Sequence, residues 1–226
     1  WILKESLSQV KKWREYLPNL CLNVNYTLKS LKDSLDETMQ IFKASGLPNK
    51  SLLIEITETV SVDEVDNVSI LIRACKEAGI GISIDDFGTG YSNLALLKEI
   101  KCDEIKIERT FVTGITEGSY GYLLINSLIS FSRENGIQVC CEGTETEEML
   151  ERAMSLGFSG LEIDYSFFNS DMVKKVKASG METSSVYILC DRKSIDSKSE
   201  KERFLHDAAA IGSRKVMIVP KLIRNC

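Results

Sequence analysis

Acidic and amide side chains stand at the ends of several short apolar runs in this chain. Asn25 and Glu142 stand at the ends of two such runs, Glu55 lies within another, and the adjacent pair Asp85-Asp86 ends a fourth. In a parallel β/α sheet all strands end on the same side, so these groups are predicted to converge on one site. Burying so many carboxylates together is unfavourable unless cations neutralise them. Oxygen-rich clusters of this kind are typical of Mg²⁺ or Mn²⁺ sites.

The adjacent aspartates favour a site for two divalent ions. Asp85 and Asp86 can each reach a different ion, or one of them can bridge two ions about 3.5–4 Å apart. Two-metal carboxylate sites are used for phosphodiester hydrolysis, because the ions activate water and take up charge on the phosphate oxygens. Lys106, in the next apolar run, would orient the water or neutralise the transition state. The pattern therefore indicates metal-dependent hydrolysis of an anionic substrate.

Each of these residues also has a simpler interpretation. A single acid after a strand, such as Glu108, Glu145 or Asp164, is more often a helix N-cap or a surface group. Asn25 alone is more often a turn residue, and the segment DDFG at residues 85–88 also fits a tight turn between a strand and a helix. It is the combination of these residues that favours a metal site over the separate alternatives.

The composition excludes several other classes of function. The only histidine is His206, so a multi-histidine metal site is impossible and a Ser-His-Asp triad could use no other base. The sequence has neither paired CxxC motifs, as in zinc ribbons, nor the GxxxxGK motif of phosphate-binding P-loops. With 28 basic and 33 acidic residues the net charge is −5, which argues against nucleic-acid binding.

Length and cysteine usage indicate the class of protein. The chain has 226 residues, of which 43% are hydrophobic, which suits one large domain or two small ones. No apolar run approaches the roughly 20 residues of a membrane span. The chain has seven cysteines, an odd number, and two of them, Cys140 and Cys141, are adjacent. Such a set is poorly suited to a framework of disulfide bonds. We therefore expect reduced thiols and a cytoplasmic protein with no membrane span.

Short β-branched runs alternate with longer amphipathic segments along the chain. The predicted strands are Cys21–Tyr26, Leu52–Thr57, Gly81–Asp85, Glu104–Glu108, Ile137–Glu142, Leu161–Tyr165, Val186–Cys190 and Lys215–Pro220. The predicted helices are Leu28–Ser45, Val65–Ala78, Tyr120–Glu134, Glu145–Leu156 with Thr144 as N-cap, and Glu200–Ile211. This alternation predicts a parallel α/β sheet. A closed β/α barrel is favoured over an open doubly wound sheet, because no glycine-rich nucleotide loop follows the first strand.

Several segments resemble motifs of the EAL family of cyclic di-GMP phosphodiesterases. The ten residues DDFGTGYSNL at 85–94 resemble the family's DDFGTGYSSL loop almost letter for letter. Four other segments resemble family motifs in the same order, namely NYT from Asn25, EITET from Glu55, KIERTF from Lys106 and EGTE from Glu142. The resemblance covers roughly residues 1–172.

The resemblance implies a modified TIM-like (β/α) barrel that opens cyclic di-GMP to linear pGpG with Mg²⁺ or Mn²⁺, two ions being expected. By similarity, Asn25, Glu55 and Asp85 would ligate the first ion, and Asp86 would ligate the second. Lys106 would orient the attacking water, and Glu142 would bind metal or assist proton transfer. Glu58 would hold the loop after Asp86, and Glu145 would support the site without contacting the ions. Family members often pair through the loop and helix after Asp86, so the resemblance also implies a homodimer.

Three features depart from the family pattern. The Glu-Ala-Leu motif is absent, and we expect the chain to start after it, which leaves the barrel incomplete at its N-terminus. The family's Gln-Gly-Tyr reads Glu162-Ile163-Asp164, so Glu162 is a ligand-binding candidate of altered type. From Val186 onward the sequence does not resemble the family, and it faintly resembles a strand-helix-strand unit of sugar-phosphate isomerase barrels.

These observations predict two parts. Residues 1–180 would form an EAL-like barrel that lacks its N-terminal part, and residues 181–226 a strand-helix-strand segment that could complete the barrel. The predicted function is metal-dependent hydrolysis of cyclic di-GMP. The main alternative is a catalytically inactive domain that acts as a cyclic di-GMP receptor or a protein-interaction scaffold. A sugar-processing barrel, with Asp191 or Lys221 at its mouth, is a further alternative.

Overall fold

The computed structural model describes residues 1–57, 65–88, 97, 100–167, 169–190 and 198–220. Within these residues the strands form one parallel sheet in strictly sequential order from β1 to β8. The strands are β1 Leu22–Asn25, β2 Leu52–Thr57, β3 Gly81–Phe87, β4 Glu104–Ile107, β5 Gln138–Thr144, β6 Gly160–Asp164, β7 Glu182–Cys190 and β8 Val216–Pro220. A doubly wound sheet would reverse its order at a switch point. The TIM-like β/α architecture is therefore confirmed.

Helices connect successive strands. The helices of the described residues are α1 Ile2–Trp13, α2 Leu28–Ser45, α3 Val65–Glu77, α4 Arg109–Val112, α5 Tyr120–Glu134, α6 Glu147–Leu156, α7 Ser170–Ser179 and α8 Lys198–Ala210. The predicted helices did not include α1, the four-residue α4 or α7, and in α7 the only buried side chains are Met172 and Val176 among lysines. Each of these helices falls short of the length and apolar character needed to span a bilayer.

The start of α6 differs from the prediction. Thr144 was expected to cap a helix from Glu145, but it is the buried last residue of β5. The helix begins at Glu147, and the hydroxyl of Thr146 accepts a hydrogen bond from the amide of Met149 at 3.2 Å. Strand β5 ends two residues later than predicted, and its pairing with β6 shifts register between Cys141 and Thr144.

Successive side chains on the strands point to opposite faces of the sheet. On β2, Ile54 and Ile56 are buried in the main hydrophobic core, and Glu55 lies between them. On β4, Ile105 belongs to the same core, whereas its neighbour Lys106 is buried among acids. The apolar residues thus pack between the sheet and the helices, and the polar residues face the inside of the curved sheet. This alternation places the site inside the barrel.

The two edges of the sheet meet near the amino ends of the strands. The amide of Cys21, just before β1, donates to the carbonyl oxygen of Arg214, just before β8, at 2.7 Å. A small apolar cluster covers this junction and joins α1 to α8 through Val10, Leu17, Leu20 and Leu205. The first and last strands are therefore neighbours at this end of the barrel.

Buried thiols lead to a prediction about chemical reactivity. The described part contains five buried free cysteines, which are Cys21, Cys75, Cys102, Cys140 and Cys141. Burial raises the pKa of Cys75 to about 11 and those of Cys102 and Cys141 to about 12, so little thiolate forms at neutral pH. We expect at most two of the seven thiols to react rapidly with DTNB in the folded protein, and all seven in guanidinium chloride. Rapid reaction of three or more thiols in the folded state would contradict this burial.

Candidate functional site

Lys106 lies at the centre of a group of acidic side chains. Its Nζ atom is 2.6 Å from Glu142 Oε1, 2.9 Å from Asp85 Oδ1 and 3.3 Å from Glu55 Oε1. Glu162 Oε2 lies further away, at 3.9 Å. The lysine side chain is only 6% exposed. Five consecutive strands, β2 to β6, thus each contribute one charged group to this cluster.

The electrostatics of this cluster follow from the unequal charges. Burial alone would lower the pKa of Lys106, but the four surrounding carboxylates outweigh it and raise this pKa above its ordinary value. Burial raises the pKa of Glu142 to about 7, even though the Lys106 ammonium acts in the opposite direction. The cluster therefore has more acidic groups than the lysine can neutralise. This excess of negative charge favours cation binding.

A β-bulge brings two adjacent aspartates to the same side of the sheet. The pairing of β3 with β4 shifts register between Ile84 and Phe87, and Asp86 has a φ of 54° in the left-handed region. A regular strand would point Asp85 and Asp86 to opposite faces. Here one oxygen from each of Asp85, Asp86 and Glu142 lies within 4.8 Å of the others. Backbone strain of this kind is commonly found at functional sites.

Glu142 is positioned by a second irregularity, in β5. The residue after it, Gly143, has a φ of 62°, and a Cβ atom there would lie 3.0 Å from Cδ of Arg109. Arg109 in turn forms a 2.6 Å ion pair with Glu145. Glu145 therefore lies beside the segment that carries Glu142, in keeping with a supporting position.

Strand β1 carries two asparagines, Asn25, which the sequence analysis named as a metal ligand, and Asn23, which it did not consider. Asn25 is in register with Glu55 at the end of the strand, but its side chain is exposed. It is Asn23 that contacts the acid, because its Nδ2 atom donates to Glu55 Oε1 at 2.5 Å. The sequence analysis missed Asn23, although it stands two positions before Asn25 and so on the same face of the strand.

The donor set fits a divalent cation. Asp85, Asp86 and Glu142 bring carboxylate oxygens close enough to share an ion. The Oδ1 atom of Asn23 is buried and, among the described residues, has no hydrogen-bond partner. Carboxylate and amide oxygens are the ligands that Mg²⁺ and Mn²⁺ prefer.

Two further acids, Glu108 and Asp164, accept hydrogen bonds from nearby backbone amides, in keeping with the simpler structural roles considered in the sequence analysis. Glu108 is the N-cap of α4, and its Oε2 atom accepts from the amide of Thr110 at 2.8 Å. Asp164 accepts from the amide of Ser166 at 2.7 Å and closes the turn after β6. Glu58, expected to hold the loop after Asp86, lies outside the described residues, as do residues 89–96 of the similar loop.

Comparison with known sequences identifies the family. The EAL domain family model matches residues 1–162. MucR from Pseudomonas aeruginosa, described as a bifunctional diguanylate cyclase/cyclic di-GMP phosphodiesterase, is 28% identical over 165 residues, which are 72% of this chain and 24% of MucR. The chain thus spans about a quarter of the length of this curated relative.

Solved structures agree with the sequence match. The EAL domain of Mycobacterium smegmatis DcpA has a TM-score of 0.61 and 30% identity, with 70% of this chain and 72% of that chain covered. Klebsiella pneumoniae BlrP1, in a complex with manganese and cyclic di-GMP, has a TM-score of 0.58 and 31% identity, with 69% of this chain and 41% of that chain covered. The family match spans β1 to β5 and extends into β6 as far as Glu162. This chain belongs to the EAL domain family.

Proposed function

We propose that this protein is a metal-dependent phosphodiesterase that hydrolyses cyclic di-GMP to linear pGpG. The observation that carries the proposal is the convergence of the Asp85, Asp86 and Glu142 carboxylates beside the Lys106 ammonium. The relatives support the choice of substrate, since BlrP1 was solved with manganese and cyclic di-GMP and MucR is described as a cyclic di-GMP phosphodiesterase.

The cluster provides ligands for two divalent ions of the Mg²⁺ or Mn²⁺ type. We assign Glu55 and Asp85, with Asn25 at the edge, to one ion, Asp86 to the second, and Glu142 to metal binding or to proton transfer. Bound ions would supply activated water and charge neutralisation at the phosphate.

Lys106 and Glu142 have complementary parts in this chemistry. The Lys106 ammonium is held by carboxylates on several sides, so it is fixed in place to orient water and to offset charge on the phosphate oxygens. Glu142 is placed to accept a proton from the attacking water. The water oxygen bonds to phosphorus, the P–O3′ bond breaks, and O3′ takes a proton from solvent, so the product carries a free 3′-hydroxyl and a 5′-phosphate.

The proposal extends to compartment and assembly. The five buried free thiols favour a reducing environment, so we place the protein in the cytoplasm. We also expect a homodimer, which light scattering on the purified protein would measure.

Hydrolysis tests the proposal directly. With Mn²⁺ and cyclic di-GMP we expect chromatography to show pGpG, and we expect EDTA to abolish its formation. Asp85→Asn should lower kcat/KM by at least about 100-fold, because it removes a carboxylate that contacts Lys106 and lies among the metal-binding oxygens. Glu108→Gln, which changes only a helix cap, is the control and should stay within about threefold of the unmodified protein.

The outcomes distinguish the alternatives. Tight binding of cyclic di-GMP without pGpG would contradict the enzyme and favour the receptor. Neither binding nor product would favour a protein-interaction scaffold.

Asn23 gives a second prediction, with metal affinity as the measurement. Asn23→Ala removes both the hydrogen bond to Glu55 and the buried amide oxygen. We expect Mn²⁺ to bind about 10-fold more weakly, as measured from the electron paramagnetic resonance signal of free Mn²⁺. Asn135→Ala, at the exposed end of α5, is the matched control. Equal Mn²⁺ affinity in the two variants would contradict a role for Asn23.

A further inference from the structure

The segment that follows the family match lies against the candidate site. The match ends at residue 162, within β6. Strand β7 pairs with β6 from Gly160↔Glu182 to Asp164↔Tyr187, and β8 pairs with β7 over five further positions. The sheet therefore continues without a break beyond the region of similarity.

Strand β7 contributes a hydroxyl group to an acid of the site. Ser185 Oγ donates to Glu162 Oε2 at 2.8 Å, and both residues are buried. The same oxygen of Glu162 lies 3.9 Å from Lys106 Nζ. The hydrogen bond from Ser185 thus fixes the carboxylate of Glu162 on the side that faces Lys106.

The residue before β8 forms an ion pair across the inside of the barrel. Lys215 Nζ is 2.6 Å from Glu104 Oε2, which also accepts from Ser83 Oγ at 3.0 Å. The side chains of Lys215 and Glu104 are 8% and 3% exposed, so each charge needs the other. Glu104 stands two positions before Lys106 on β4 and therefore on the same face. The C-terminal segment thereby supplies the counter-charge for a buried acid on the strand that carries Lys106.

Arg214 connects β8 to β7 within the segment and to residues at β1 and β5 outside it. Its carbonyl oxygen accepts from the amide of Cys21, next to β1. Its guanidinium donates to Gln138 Oε1 at 2.9 Å on β5 and to Glu182 Oε2 at 3.2 Å on β7. The segment is thus hydrogen-bonded both at the start of the sheet, next to β1, and in its middle, at β5.

We propose that strands β7 and β8, which follow the family match, are an integral part of the catalytic barrel, and that Ser185 is a positioning residue that holds the Glu162 carboxylate toward Lys106. The catalytic part of this inference rests on the proposed function. The structural part rests on the contacts of Lys215 and Arg214 and is tested separately.

The role of Ser185 is tested by metal affinity and by kinetics. We expect Ser185→Ala to weaken Mn²⁺ binding and to lower kcat about 10-fold, with a smaller change in KM. Thr183→Val is the matched control, because it removes a buried hydroxyl of β7 that has no hydrogen-bond partner within the described ranges. If both variants have the same Mn²⁺ affinity and kcat, the assignment of Ser185 is wrong.

A double-mutant cycle shows whether Ser185 acts through Glu162. In a Glu162→Gln background, Ser185→Ala should have less than a twofold further effect on Mn²⁺ affinity, because the charge that it positions is already gone. Fully additive effects would overturn the proposal. If the unmodified protein neither binds Mn²⁺ nor forms pGpG, the proposed function and the catalytic role of Ser185 are both overturned. The structural role of β7 and β8 is then decided by the unfolding experiment below.

Unfolding in urea tests the structural part without metal or substrate. The tryptophan fluorescence comes from Trp1 and Trp13, which lie at the other end of the chain from Lys215. We expect Lys215→Met to lower the midpoint of this fluorescence transition by about 1 M urea or more. Adding Glu104→Gln should recover part of the loss, because the unpaired buried charge is removed.

The control is Lys174→Met on α7, whose ion pair with Asp171 is exposed and whose midpoint should not move. If Lys215→Met left the tryptophan transition unchanged, the segment would be an independent appendage and the proposal would be overturned.

Discussion

The Lys106 ammonium is the counter-charge that allows acids from several strands to be buried in the same space. Glu55, Asp85 and Glu142 each lie within 3.3 Å of its Nζ atom. Removing one partner from a buried ionic cluster leaves uncompensated charge and costs about 3–5 kcal/mol. The lysine neutralises only part of the cluster, and the remaining negative charge favours the cation binding proposed above. Folding and the proposed cation binding would therefore depend on the same imbalance, since a ligand that binds only the folded state stabilises it further.

The interior of the barrel holds buried positive charge at two levels. Lys106 lies at the carboxyl ends of the strands, with the acids of the candidate site. Lys215 lies nearer the amino ends and pairs with Glu104. Between sheet and helices the packing is apolar, as the isoleucines of β2, β3 and β4 show. The outer layer thus supplies most of the hydrophobic stabilisation, which permits an inner face made of charged and hydroxyl groups.

Much of this arrangement could be predicted from the sequence. Apolar runs and their spacing predicted each strand found in the described residues, and the acids near the ends of these runs predicted the edge of the sheet where the acids meet. The helix α7 was not predicted, because Met172 and Val176 alone give too weak a periodic signal. The choice of Asn23 over Asn25 as the partner of Glu55 depends on side-chain geometry, which strand spacing does not determine.

Contacts between distant parts of the chain could not be predicted in this way. Lys215 and Glu104 are 111 residues apart, and Ser185 and Glu162 are 23 residues apart. Periodicity reports only on neighbouring turns and strands. The bulge at Asp86 was equally hidden, since the motif shows two adjacent aspartates but not the left-handed backbone that turns them to one side.

The ladder between β6 and β7 has a practical consequence for how this protein is handled. A recombinant fragment ended at residue 162, where similarity to relatives stops, would cut β6 after its third residue and remove its neighbour. The exposed edge would present unpaired amide and carbonyl groups, which template aggregation between molecules. Expression boundaries chosen from homology alone would therefore yield insoluble material, because hydrogen bonding rather than sequence similarity delimits the folding unit.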